Sequence, residues 1–242
     1  MMFVICANPV PPILDASAFA WRRYGRVSVQ TVAIFIFNDV EVLDFAGPFE
    51  VFGVTGGRGK RPLYDVFTVA QSLRPVMARN RLGINPDYSF ETMPDADVLV
   101  VPGGFGTRRE KRNPSVLRFL SERVAAAHSV VSICSGALML AKAGLLSGLH
   151  ATTHRGALEE LALDAPDCTI WPEARVVDNG KIVVSAGISM GIEASLYTVA
   201  KHHGQAQAIE TARYMEYDWN YQVVDGKHVL MPGQRERERA AC

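Results

Sequence analysis

The feature that most limits what this chain can fold into is a repeated apolar run. TVAIFIF at 31–37, DVLVVPGG at 97–104 and SVVSIC at 129–134 are continuously apolar rather than alternating. A strand with one face in water alternates polar and apolar residues, whereas a strand covered on both faces does not, and such strands belong to parallel sheets sandwiched by helices. Between the second and third runs, Val116, Phe119, Leu120 and Val124 recur at helical spacing, with Arg118, Ser121, Glu122 and Arg123 on the opposite side. The order strand, amphipathic helix, strand predicts right-handed crossovers in an α/β fold, doubly wound or sandwich-like, with a mainly parallel sheet.

Other segments fit that frame. YDVFTVA, from Tyr64, reads as a further strand, and RPVMARNRLGINPDYSF as extended turns near a sheet edge. In ARVVDNGKIVVSAG, at 174–187, Asn179-Gly180 stands between two β-branched runs, which predicts a hairpin with a type I′ turn. Helical patterns run from Met190 to His203 and from Gln205 to Tyr217. A chain of 242 residues suits one large domain better than two. The expected layout is an extension over 1–30, a domain over 31–220 and a tail over 221–242 whose RERERAAC end is solvated.

Charge and composition narrow the function. Lys+Arg number 25 and Asp+Glu 25, so the chain lacks the basic excess of a nucleic-acid or anionic-membrane binder, and a small-molecule partner is expected. Cys6, Cys134, Cys168 and Cys242 are irregularly spaced, and the histidines have no ligand spacing, so neither disulfides nor a metal are expected. The apolar first segment contains Ala18-Phe19-Ala20 but lacks a basic start and carries three prolines and Asp15. It therefore reads as an extension rather than a signal peptide, and the expected location is cytoplasmic. No run approaches the roughly 18 apolar residues of a membrane span.

Three turns carry the candidate chemistry. Cys134 ends a buried run and is followed by Ser135, Gly136 and the helix-forming ALMLAKAGLL. A strand, a cysteine, a glycine and a helix in that order form a nucleophile elbow, which lifts the side chain at the carboxyl end of the sheet, where open α/β folds bind ligands. A helix N-terminus there would favour thiolate over thiol. A buried structural cysteine is the competing reading. VPGGFGT, at 101–107, follows another buried run, and its amides could form half of an oxyanion hole, with the Ser135 amide as the other half. It has neither dinucleotide nor phosphate-loop spacing, so no such cofactor is expected. Asp44, in EVLDFAGPFEVF, would project at the same sheet end, but it could equally cap the helix that follows.

LDFAGPFEVF, VPGGFGT, SICSGALMLAKAGLLSG, ATTH and SAGISMGIE together resemble the isonitrile hydratases and their relatives in the ThiJ/PfpI superfamily, over about residues 31–218. The resemblance implies a flavodoxin-like three-layer sandwich and a homodimer; no cofactor is expected. It implies Cys134 as nucleophile, Asp44 as acid/base, Ser135 as neighbour of the thiolate, and Gly104 and Ile188 as backbone contacts. Ser135 stands where these hydratases usually have threonine and where peptidase relatives have histidine, which argues against a Cys-His protease. Arg155 stands where an aromatic is usual after ATTH, and His154 where the wider superfamily has a histidine near the site. The expected activity is cysteine-dependent hydration of small isonitriles to N-substituted formamides. The alternatives are a stand-alone small-molecule sensor, since the same domain precedes helix-turn-helix readers in transcriptional regulators, and a glyoxalase-like or deglycase activity. A glutamine amidotransferase relative is weakened because Gly191 stands where a His-x-Glu pair ending at Glu193 would begin. Only about 25 residues follow Tyr217, too few for paired DNA-binding helices, so a complete regulator is not expected.

Overall fold

The computed structural model describes residues 29–57, 62–219, 223–224 and 227–230. Its main sheet is built from β1 (Gln30–Phe35), β2 (Tyr64–Ala70), β3 (Tyr88–Ser89), β4 (Val98–Val101), β5 (Ser129–Ile133), β6 (Val176–Asp178), β7 (Ile182–Ser185), β8 (Val223–Val224) and β9 (Lys227–Leu230). The helices are α1 (Val42–Val54), α2 (Thr107–Glu110), α3 (Pro114–Ala126), α4 (Gly136–Lys142), α5 (Leu158–Asp164), α6 (Met190–His203) and α7 (Gln205–Tyr214). The strand order is β8-β9-β6-β7-β5-β4-β1-β2-β3. The block from β7 to β3 is parallel throughout, and β6, β9 and β8 extend it antiparallel. One group of helices joins α1, α6 and α7, and a second joins α2, α3 and α5 through α4, so the sheet is the middle layer of a flavodoxin-like sandwich.

The apolar runs lie where both-sided burial requires them. Every residue of β4 and β5 is buried, as is β1 apart from Thr31. On α3 the buried residues are Val116, Phe119, Leu120 and Val124, and the helix starts on Pro114 with the Asn113 side chain accepting from the Ser115 amide at 3.1 Å. From β1 the chain steps outward to β2 and β3, then returns to the other side of β1 as β4 and β5. The loops after β1, β4 and β5 therefore diverge at one carboxyl edge around this switch point, the place where open α/β sheets hold ligands.

Two expectations are corrected. The β6–β7 hairpin turns on Gly180-Lys181, not on Asn179-Gly180: the Asn179 amide donates to the Ile182 carbonyl at 3.0 Å, and only Gly180 has positive φ, 82°. Positive φ at the first corner alone fits a type II′ turn, whereas type I′ needs it at both. The tail expected over 221–242 contributes β8 and β9 to the sheet edge. Its RERERAAC end, and nearly all of the expected extension, fall outside the described residues.

Candidate active site

Cys134 sits in the turn between β5 and α4 with φ of 55°, a left-handed conformation that costs a residue bearing a β-carbon of order 1–3 kcal/mol. The surroundings hold it there from both sides. Its amide is shared between the Ser185 and Ala186 carbonyls, each at 3.2 Å. Its carbonyl is turned out of the helical ladder, since the Leu138 amide donates to Ser135 instead. That carbonyl accepts from Thr153 Oγ1 at 2.6 Å, the only donor to it among the described residues. The side chain is buried, and the neighbouring amides of Ser135 and Ile188 favour the charged form of the sulfur. Ile188 is itself left-handed, with φ of 51°.

Asp44 is the third residue of α1 and does not cap it: Glu41 occupies the N-cap position, and no side chain bonds there. Asp44 Oδ2 instead accepts from the Gly103 amide at 2.9 Å, while Oδ1 is fully buried with no partner at hydrogen-bond geometry. Burial raises the carboxyl to about 7, with the Gly103 amide and the nearby Cys134 thiol pulling it back. Burial, and then the charge of Asp44, push the Cys134 thiol up to about 12, against the Ser135 and Ile188 amides. A thiolate at rest, expected from the helix N-terminus, is thus not what the site favours: α4 is only seven residues long, and burial and the carboxyl outweigh it. The two groups titrate as a pair, and moving the thiol proton to Asp44 makes a thiolate beside a neutral acid without changing the site's net charge.

The turn after β4 locks onto the elbow. The hydroxyls of Thr107 and Ser135 both donate to the Gly104 carbonyl, at 2.8 and 3.2 Å, and Ser135 Oγ accepts from the Gly104 amide at 3.0 Å. Gly104 has φ of 125°, and a Cβ on Gly103 would lie 2.6 Å from the Ser135 nitrogen, so only glycines let the two turns approach so closely. The expected role of Gly104 as oxyanion donor is corrected by this geometry, because its amide is already engaged. The Ser135 and Ile188 amides remain the backbone groups that favour charge on the sulfur.

Over residues 30–201 the chain matches the DJ-1/PfpI family. It belongs to that family. Among DJ-1/PfpI relatives, the isonitrile hydratase of Pseudomonas putida is 32% identical over 78% of this chain and 78% of its own length. The HTH-type transcriptional regulator GbdR of Pseudomonas aeruginosa is 23% identical over 85% of this chain, which spans only 57% of the regulator. A deglycase of Pyrococcus abyssi is 28% identical over 53% of this chain and 76% of its own. A ThiJ/PfpI family protein of Pseudomonas syringae, solved by crystallography, shares the fold with a TM-score of 0.72 at 32% identity, over 88% of this chain and 84% of that one.

Within this DJ-1/PfpI site, His154 is not brought to the sulfur by any hydrogen bond. It caps the turn Arg155–Ala157, its Nδ1 accepting from the Gly156 amide at 3.1 Å, and its ring lies against Gly187, next to Ile188. Arg155 is exposed on that turn. Glu193 is buried and bonds to Arg175 at 2.7 Å and to the Tyr217 hydroxyl at 3.0 Å. Sequence reasoning missed Thr153 and Thr107. Both lie inside quoted motifs, ATTH and VPGGFGT, but a threonine carries no mark of which carbonyl it will reach. Among the described residues no group of three His, Cys, Asp or Glu could hold a metal ion, and no helix is long and apolar enough to cross a membrane.

Proposed function

We propose that this protein hydrates small isonitriles to N-substituted formamides, with Cys134 as nucleophile and Asp44 as its acid and base. The observation that carries the reading is the buried carboxyl raised to about 7 beside the thiol, which gives it a proton to hold and release near neutral pH. The 32% identity to an isonitrile hydratase supports the substrate class. In the first step the thiol proton passes to Asp44, the sulfur bonds to the terminal carbon of R–NC, and Asp44 returns the proton to that carbon, leaving a thioimidate, S–CH=N–R. The Ser135 and Ile188 amides stabilise the sulfur while it carries charge. Water then adds across C=N, a proton moves through Asp44, the C–S bond breaks, and thiol and formamide are released. Only water is consumed besides the isonitrile.

The regulator relative supports a second reading, a small-molecule sensor, and the deglycase relative a third. Incubation with a panel of alkyl and aryl isonitriles and, separately, 2-oxoaldehydes separates them. Formamide from isonitriles supports the hydratase reading. Consumption of 2-oxoaldehydes alone replaces it with the deglycase, and saturable binding without turnover replaces it with the sensor. The reading also includes a cytoplasmic homodimer, on family likeness alone.

A further inference from the structure

A cavity of about 520 Å³ opens at the carboxyl ends of β1 and β2, and neither Cys134 nor Asp44 lines it. Its volume falls within the roughly 300–1,000 Å³ of small-molecule sites. Its floor is apolar and buried, formed by Ile36, Phe37, Val76 and Val116. Its polar rim is formed by Asn38, Gln71, Ser72, Arg74 and the carboxylate of Glu110. Asn38 Oδ1 accepts from the Met77 amide at 2.8 Å, and Gln71 Oε1 from Asn113 Nδ2 at 3.0 Å. The two oxygens of Glu110 are held by Arg109 Nε at 2.8 Å and Asn113 Nδ2 at 3.3 Å. These side-chain acceptors are thus engaged by the protein.

The donors are not. Among the described residues, Asn38 Nδ2, Gln71 Nε2 and the Arg74 guanidinium have no hydrogen bond or ion pair, although all three residues line the cavity. The Glu110 carboxylate is offset by its ion pair with Arg109 at 2.8 Å, which leaves free donors and the Arg74 cation around an apolar floor to complement a molecule with an anionic acceptor head and an apolar body. We infer that this cavity is a second ligand site, separate from the cysteine, for a small organic carboxylate.

The test is a titration of the ¹⁵N-labelled full chain with phenylacetate, followed by NMR. Saturable shifts at millimolar concentration are expected at the amides of Asn38, Gln71, Arg74 and Glu110. Neutral phenylacetamide should bind at least roughly 5-fold more weakly, and Arg74→Gln should weaken phenylacetate by a similar factor. Arg74 is exposed, so that change leaves the fold intact. Cys134→Ala should bind phenylacetate like the wild type, which keeps the result independent of the hydratase reading. Absence of saturable shifts at these amides, shifts confined to the loops around Cys134, or equal affinity for the amide or in Arg74→Gln would overturn the inference.

Discussion

At Cys134 a single hydroxyl carries much of the geometry. Removing the Thr153 donor leaves the Cys134 carbonyl buried without a partner, at a cost of about 1–3 kcal/mol, and frees the left-handed turn that aims the sulfur. Thr153→Val should therefore be destabilised by that amount and be alkylated at Cys134 at least roughly 10-fold more slowly, since small displacements of a reacting atom are expensive in rate. Thr153→Ser should restore both, and a Val variant alkylated like the wild type would remove Thr153 from this role. Asp44→Asn keeps an acceptor for the Gly103 amide but loses the proton and the charge. Turnover should fall at least about 100-fold, while iodoacetamide should label Cys134 faster at neutral pH, because the charge that raises the thiol is gone. The carboxyl binds its proton more tightly folded, at about 7, than at its ordinary 3.8, so its favourable contribution is complete below 3.8 and lost as pH rises through 7. Asn should accordingly raise the melting temperature more on the alkaline side than on the acid side. Near wild-type turnover in this variant would remove Asp44 from the chemistry. The placement of Cys134 and Asp44 at one end of the sheet was legible because each ends or follows an apolar run; the engagement of Gly104 was not, since a Gly-Gly turn does not say where its amides point.

Among the elements, β5, β2 and α6 are tied at the amino end of the sheet by one half-buried imidazole. His202 Nε2 lies 2.8 Å from Ser129 Oγ, and Nδ1 3.0 Å from the Tyr64 hydroxyl. Burial, then the neighbouring His203 and Lys201, lower this histidine from 6.5 to about 3. A base held neutral in the fold contributes stability that is complete above 6.5 and lost as pH falls toward 3. His202→Gln retains a donor and an acceptor but not the titration, so chemical denaturation across that window should show the wild type losing stability more steeply than the variant. Parallel slopes would contradict the assignment. The central strands, α3 and α6 could be read from hydrophobic period alone. The hairpin corner and the added strands β8 and β9 could not, because a one-residue shift of a turn and pairing at a sheet edge depend on partners distant in sequence.

For the whole molecule, the sandwich was foreseeable because both-sided burial of its central strands leaves few architectures. Assembly was not, and it rests on family likeness: light scattering at micromolar concentration should give twice the 26.5 kDa of one chain, and a monomer mass would refute the homodimer. What the assembled elbow does is decided by isonitrile turnover. The most direct measurement follows an alkyl isonitrile by NMR with the wild type and with Cys134→Ala. One N-alkylformamide is expected for each isonitrile consumed by the wild type, and no formamide above the uncatalysed rate with Cys134→Ala. A wild type that leaves every isonitrile intact, or formamide formed as fast without the Cys134 thiol, would contradict it.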